Sequence, residues 1–93
     1  MRWKLFATLS EAAGSKEVDI SVSADQPTLR DAFEELLDSH PELAAEILDE
    51  DGSLHSHIML LCDGEDPFRD GDGWETSLAT TTELALLPPL SGG

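Results

Sequence analysis

Apolar residues alternate at period two up to Ser23, switch to helical spacing from Leu29 to Leu37, and return to strand-like spacing after Leu54. One helical stripe among several short alternating segments leaves few ways to bury everything. The stripe has to cover one face of a small sheet. The chain of 93 residues is long enough for one such domain and one core.

The segments can be placed one by one. Arg2 to Leu9 reads as a strand, with Trp3, Leu5, Ala7 and Leu9 on one face and Phe6 giving the other an apolar patch. Ser10 to Ser15 is a connector in which Gly14 can supply a positive-φ turn. Glu17 to Ser23 is a second strand, with Val18, Ile20 and Val22 pointing one way, and the two strands suggest a hairpin. Thr28 is placed to cap a helix, with Asp31 supplying an acid in its first turn. Leu29, Ala32, Phe33, Leu36 and Leu37 form the stripe, opposite Arg30, Glu34, Glu35 and Asp38. His40 precedes Pro41 and should leave the helix, and Pro41 can open a second short helix through Leu48, with Leu43, Ile47 and Leu48 inward.

Asp49 to Gly52 reads as a turn. Leu54 to Cys62 reads as a strand ending in a tight turn at Asp63-Gly64, and Asp66 to Gly73 as a polar loop. Leu78 is an isolated apolar residue. Glu83 to Leu87 is the last strand, and Pro88-Pro89 ends its pairing because neither residue can donate a backbone hydrogen bond. The expected fold class is α+β, with the first and last strands parallel because a helix separates them, and the apolar late strands at the sheet centre. This element order fits a β-grasp domain over residues 1–87 followed by an extended tail at 88–93. Other small α+β topologies satisfy the same pattern.

The charge balance narrows the partners. Twenty acidic residues against five basic ones give a net charge of −15, which repels phosphate backbones and anionic lipids. Nucleic acid and membrane surfaces are therefore not expected partners. The acids are spread along the chain, as in a protein adapted to a salty cytoplasm, where screening quiets self-repulsion. No apolar run is long enough for a membrane span, and a cytoplasmic location is expected. The free chain is expected to be a monomer. Cys62, the one cysteine, cannot form an internal disulfide, and its apolar surroundings suit a buried strand position.

Candidates for autonomous chemistry are thin. His55 and His57 would share a face of an extended strand but lack a convincing third ligand, so no metal site is assigned. Asp63, Asp66, Asp70 and Asp72 crowd one loop, yet their spacing does not match a calcium-binding loop. No residue set supplies nucleophile, base and oxyanion site together. Trp3 and Trp74 are expected in core or edge packing.

The end of the chain is different. It reads Leu87-Pro88-Pro89-Leu90-Ser91-Gly92-Gly93. At an average glycine frequency of ~7%, two given positions are both glycine in ~0.5% of chains, so the pair calls for a reason. Pro88-Pro89 favours a stiff, extended exit. Gly92 and Gly93 carry no side chain, so the tip can enter a narrow channel. The terminal carboxylate titrates at about 3.3–3.7 and is anionic at neutral pH, where it can act as a nucleophile. Attack on the α-phosphate of ATP would give an acyl-adenylate, which a thiol, sulfur donor or amine could then attack. The chain has no glycine-rich phosphate loop with lysine, so ATP should be held by a partner enzyme.

The stretch Leu84 to Gly93 resembles the C-terminus of MoaD/ThiS-like sulfur carriers and, more closely, of ubiquitin-like small archaeal modifier proteins. Trp3-Lys4-Leu5-Phe6-Ala7 through Glu11-Ala12-Ala13-Gly14, and Thr28-Leu29-Arg30-Asp31-Ala32, are similar to the same family. The acidic composition resembles proteins of halophilic archaea. Thr80-Thr81-Thr82 departs from the family, whose members often carry an Asp-Gly-Asp-like turn there. The resemblance implies a β-grasp fold and a chain that is not itself an enzyme. It implies ATP-dependent activation of Gly93 by an E1-like adenylating enzyme, with Gly92, Ser91, Leu90, Pro89 and Pro88 as the docking tail. Two fates follow from it. Gly93 can be joined to lysines of target proteins, or it can carry sulfur as a thiocarboxylate for tRNA thiolation or molybdopterin synthesis, alongside a molybdopterin synthase large subunit. An apolar outer sheet face would dock the activating enzyme. A non-covalent binding module, indifferent to Gly92-Gly93, is the third class.

Overall fold

The computed structural model describes residues 1–23 and 25–88. Four strands form one mixed sheet: β1 (Arg2–Leu5), β2 (Glu17–Asp19), β3 (Met59–Cys62) and β4 (Glu83–Leu87). They lie in the order β2-β1-β4-β3. Strand β1 pairs antiparallel with β2, parallel with β4, and β4 pairs antiparallel with β3. This is the β-grasp arrangement, including the parallel first and last strands. One expectation is corrected: β1 and β4 occupy the centre, whereas β3 is an edge strand.

The main helix α2 (Leu29–Ser39) lies across the inner face of the sheet. Thr28 opens it with a reciprocal cap: Asp31 N–H donates to Thr28 Oγ1 at 3.4 Å, and Thr28 N–H donates to Asp31 Oδ2 at 3.0 Å. Leu29, Ala32, Phe33 and Leu36 are buried against Trp3, Leu5, Leu60, Leu84 and Leu86. The Trp3 indole N–H donates to the Ala32 carbonyl at 3.2 Å, so the largest buried side chain leaves no polar atom unpaired. His40 ends α2 outside the helical region, and Pro41 starts a 3₁₀ turn (Pro41–Leu43) leading into α3 (Ala44–Ile47). Leu43 and Ile47 are buried, and Leu48 is half-buried.

The first strand is shorter than the alternation suggests. It stops at Leu5, Ala7 takes φ 51°, and the chain turns into α1 (Thr8–Ala13). Ala7 is therefore exposed, and Leu9 reaches the core from a helix rather than from a strand. Gly14 closes α1 in the left-handed region at φ 76°, its N–H bonded to the Ser10 carbonyl at 2.9 Å. The stretch before β3 is also corrected. Leu54 makes an isolated bridge to Leu48, residues 56–57 turn, and only Met59–Cys62 is strand. Asp63-Gly64 forms the tight turn, with φ values of 50° and 83°. The polar loop that follows contains α4 (Pro67–Asp70) and a second 3₁₀ turn (Gly73–Glu75).

Thr80-Thr81-Thr82 makes its turn without a glycine. Thr82 is buried; its hydroxyl accepts from Ala79 N–H at 2.8 Å while its own N–H donates to the Ala79 carbonyl at 3.1 Å. No helix among the described residues is long and apolar enough to cross a membrane.

Candidate functional site

Strand β4 delivers the tail. Its inward residues Leu84 and Leu86 are fully buried, which fixes the strand against the core. Pairing on both edges holds it further: Leu86 faces Leu5 on β1 and Leu60 on β3, and Leu87 faces Met59. Pro88 follows without an N–H to extend the ladder, so the strand ends at Leu87. Pro88 is half-buried at this root. Pro89, Leu90, Ser91, Gly92 and Gly93 lie outside the described residues.

The outer face of the sheet is graded along β4. At its start the row is charged: Arg2 lies between Asp19 and Glu83 in register. The Arg2 guanidinium reaches Asp19 at 2.9 Å and Glu17 at 3.8 Å, and the hydrogen bond to Asp19, before the charges themselves, raises its already high pKa. The middle row is Glu17, Lys4, Ala85 and Leu61, with Lys4 Nζ 3.5 Å from Glu83. The last row, where the tail leaves, is Leu87 and Met59. Phe6 follows Leu5 there as Leu87 follows Leu86, because β1 and β4 run parallel. Phe6 is 44% exposed and Met59 53%. The core lies on the opposite face, so an apolar patch sits at the root of the tail on a surface otherwise dominated by carboxylates. Contiguous exposed apolar surface is of the kind that protein–protein contacts use.

Phe6 was legible in the sequence as an apolar residue on the second face. Met59, Leu61 and Leu87 were not singled out, although the signal was there. An all-apolar strand in a sheet covered by one helix must expose half of its side chains.

The other candidates resolve into local structure. His55 and His57 do not share a strand face; His57 N–H donates to His55 Nδ1 at 3.2 Å across a turn, and the two tilted rings lie 4.7 Å apart. Asp66 caps α4, its carboxylate accepting from Phe68 N–H at 2.9 Å. Asp63 accepts from Glu83 N–H at 2.9 Å. Among the described residues, no three His, Cys, Asp or Glu side chains are grouped to hold a metal. Cys62 is half-buried rather than buried, because β3 is an edge strand. Burial first, then Asp63 and Glu65, push its thiol pKa up, so less of it is the reactive thiolate at neutral pH than in an ordinary cysteine. Trp3 is core. Trp74 is half-buried between Phe33 at 4.9 Å and Phe68 at 5.2 Å.

The described residues thus form a packed sheet-and-helix domain whose last strand ends at Leu87. Comparison with known proteins gives the family. The ThiS family model matches residues 3–93. Small archaeal modifier protein 1 of Haloferax volcanii is 42% identical over 93 residues, covering 100% of both chains. The crystal structure of SAMP1 from Haloferax volcanii superimposes with a TM-score of 0.86 at 41% identity, covering 100% of this chain and 98% of that one. The solution structure of the small archaeal modifier protein 1 from Methanosarcina acetivorans gives 0.79 at 33% identity, covering 99% and 94%.

Proposed function

The chain belongs to the ThiS family, and from that premise we propose that it is a ubiquitin-like protein modifier whose Gly93 is adenylated by an activating enzyme and joined to lysines of target proteins. The observation that carries this reading is the match to a small archaeal modifier protein over the whole length of both chains. The family match runs to residue 93 and so includes Gly92-Gly93.

The chemistry requires little of the chain beyond shape. The Gly93 carboxylate attacks the α-phosphate of ATP held by the enzyme, and pyrophosphate leaves. A target lysine amine then attacks the activated carbonyl, forming an amide as AMP departs. A Cβ on either terminal residue would crowd both approaches. Pro88, Pro89, Leu90 and Ser91 lead the carboxylate into the enzyme, while Phe6, Met59, Leu61 and Leu87 rest against the enzyme surface. Activation and conjugation take place in the cytoplasm.

Membership of the ThiS family favours a second use of the same activated end: sulfur transfer to Gly93 as a thiocarboxylate, for tRNA thiolation or, with a large catalytic subunit, molybdopterin synthesis. Mass spectrometry separates the two uses. Cells would carry an N-terminally tagged chain or the same chain lacking Gly92-Gly93, and proteins would be purified under denaturing conditions. Lysines of other proteins bearing the Gly93 end, only with the intact tail, are the expected result. A thiocarboxylate with no lysine adducts would reject the modifier reading and leave the carrier. Normal growth on the truncated chain with neither product would reject both.

A further inference from the structure

We propose that Lys16 is the residue through which one copy of this chain is joined to Gly93 of another; the inference rests on the modifier reading above. The chain has two lysines, Lys4 and Lys16, and the N-terminal amine as possible acceptors. The structure separates them. The Met1 amine donates to the Thr80 carbonyl at 2.8 Å and lies 3.5 Å from the Ile20 carbonyl, held against the end of the sheet. Lys4 stands in the middle row of the outer face, 3.5 Å from the Glu83 carboxylate. Turning its ammonium into a neutral amide forfeits that ion pair and sets the incoming chain on the surface shared with Leu61 and Ala85.

Lys16 has neither handicap. It lies in the connector between α1 and β2, off the strands, and is exposed. Its backbone is fixed: the Lys16 carbonyl accepts from Leu5 N–H at 2.8 Å, and Ser15 Oγ donates to the Glu17 carbonyl at 2.6 Å. Among the described residues, no carboxylate oxygen lies within ion-pair distance of its Nζ. The amine is thus a free group on a rigid base. Lys16 lines an open depression together with Lys4, Phe6, Ala7, Ser10 and Glu17. Both lysines therefore meet there on a surface carrying a net charge of −15. The two amines offset the Glu17 carboxylate in the same depression and so lower the local repulsion of a second copy with the same charge.

The step balances with ATP as the co-reactant used by the adenylating enzyme. Lys16 Nζ, having lost one proton to water, adds its lone pair to the carbonyl carbon of adenylated Gly93. The C–N bond forms, the C–O bond to AMP breaks, AMP leaves with the electron pair, and a second proton passes to water. Attachment at Lys16 leaves the Lys4 amine that faces Glu83 unmodified and falls beside Phe6, at one end of the apolar row, whereas Met59, Leu61 and Leu87 lie outside the depression.

The test uses the tagged full-length chain in source cells as wild type, Lys16→Arg and Lys4→Arg. Purified conjugates are cleaved by a protease that cuts after glutamate. Cleavage at Glu83 leaves Leu84–Gly93 on the modified lysine, and cleavage at Glu11 and Glu17 places Lys4 and Lys16 on different peptides. The expected result is self-linked product on the Ala12–Glu17 peptide, lost in Lys16→Arg and retained in Lys4→Arg. Self-linkage at Lys4, or none while adducts on other proteins persist, overturns the inference and leaves the modifier reading standing. Absence of every lysine adduct overturns both.

Discussion

Two phenylalanines of nearly equal exposure offer a controlled test of the docking face: Phe6 at 44% and Phe68 at 46%. Phe6 lies beside the exit of β4, whereas Phe68 meets Trp74 edge-on in the loop after β3. An aromatic side chain can bury ~200 Å², so the open 44% of Phe6 corresponds to roughly 90 Å². At ~25 cal/mol per Å² this is about 2 kcal/mol of lost contact in Phe6→Ala, or about 30-fold in affinity. The assay is ATP–pyrophosphate exchange by the activating enzyme as a function of carrier concentration, with melting temperatures of both variants measured in parallel. Phe6→Ala should raise the carrier KM by that order with kcat little changed, since the contact is made equally in the ground and transition states. Phe68→Ala should leave KM where it was. Equal losses in the two variants, or a normal KM in Phe6→Ala, would refute the assignment of the docking face.

Three further outcomes are expected. Thr28→Ala removes one half of the reciprocal cap on the main helix and should cost ~0.5–2 kcal/mol, seen as a melting temperature lower by about 4–8 °C per kcal/mol; an unchanged melting temperature would show that the cap contributes nothing. With its pKa raised by burial and then by Asp63 and Glu65, the Cys62 thiol holds its proton more tightly folded than unfolded. Its alkylation at neutral pH should be slower than that of a free cysteine, and its contribution to stability should fall as pH rises through the ordinary thiol range toward the raised value; fast labelling at neutral pH would contradict this. Added potassium chloride should raise the melting temperature, because screening relieves the self-repulsion of a net charge of −15; a salt-independent transition would count against electrostatic adaptation.

The errors in the sequence reading have identifiable causes. Phe6 to Leu9 continues the alternation of a strand, yet Ala7 turns the chain into a helix. The left-handed Gly14 after Glu11-Ala12-Ala13 was the available sign of a helix end. The strand expected from Leu54 shrank to Met59–Cys62 because His55 accepts a backbone hydrogen bond from His57, a local side-chain contact that competes with the ladder. The same turn brings the two rings together.

By itself, the sequence determined the order of the four strands and the main helix, the cap and buried stripe of that helix, the parallel pairing implied by a helix between first and last strands, and the Gly92-Gly93 end. These follow from short-range rules: periodicity, capping and the missing proline donor act between residues close in the chain. Only the tertiary structure decided that β4, not β3, lies at the centre, that the apolar row falls beside the exit of the tail, and that Lys4 is paired while Lys16 stands apart. Those facts depend on strand register between residues some eighty positions apart, and pairing at that distance is set by how the whole core packs, not by any local pattern.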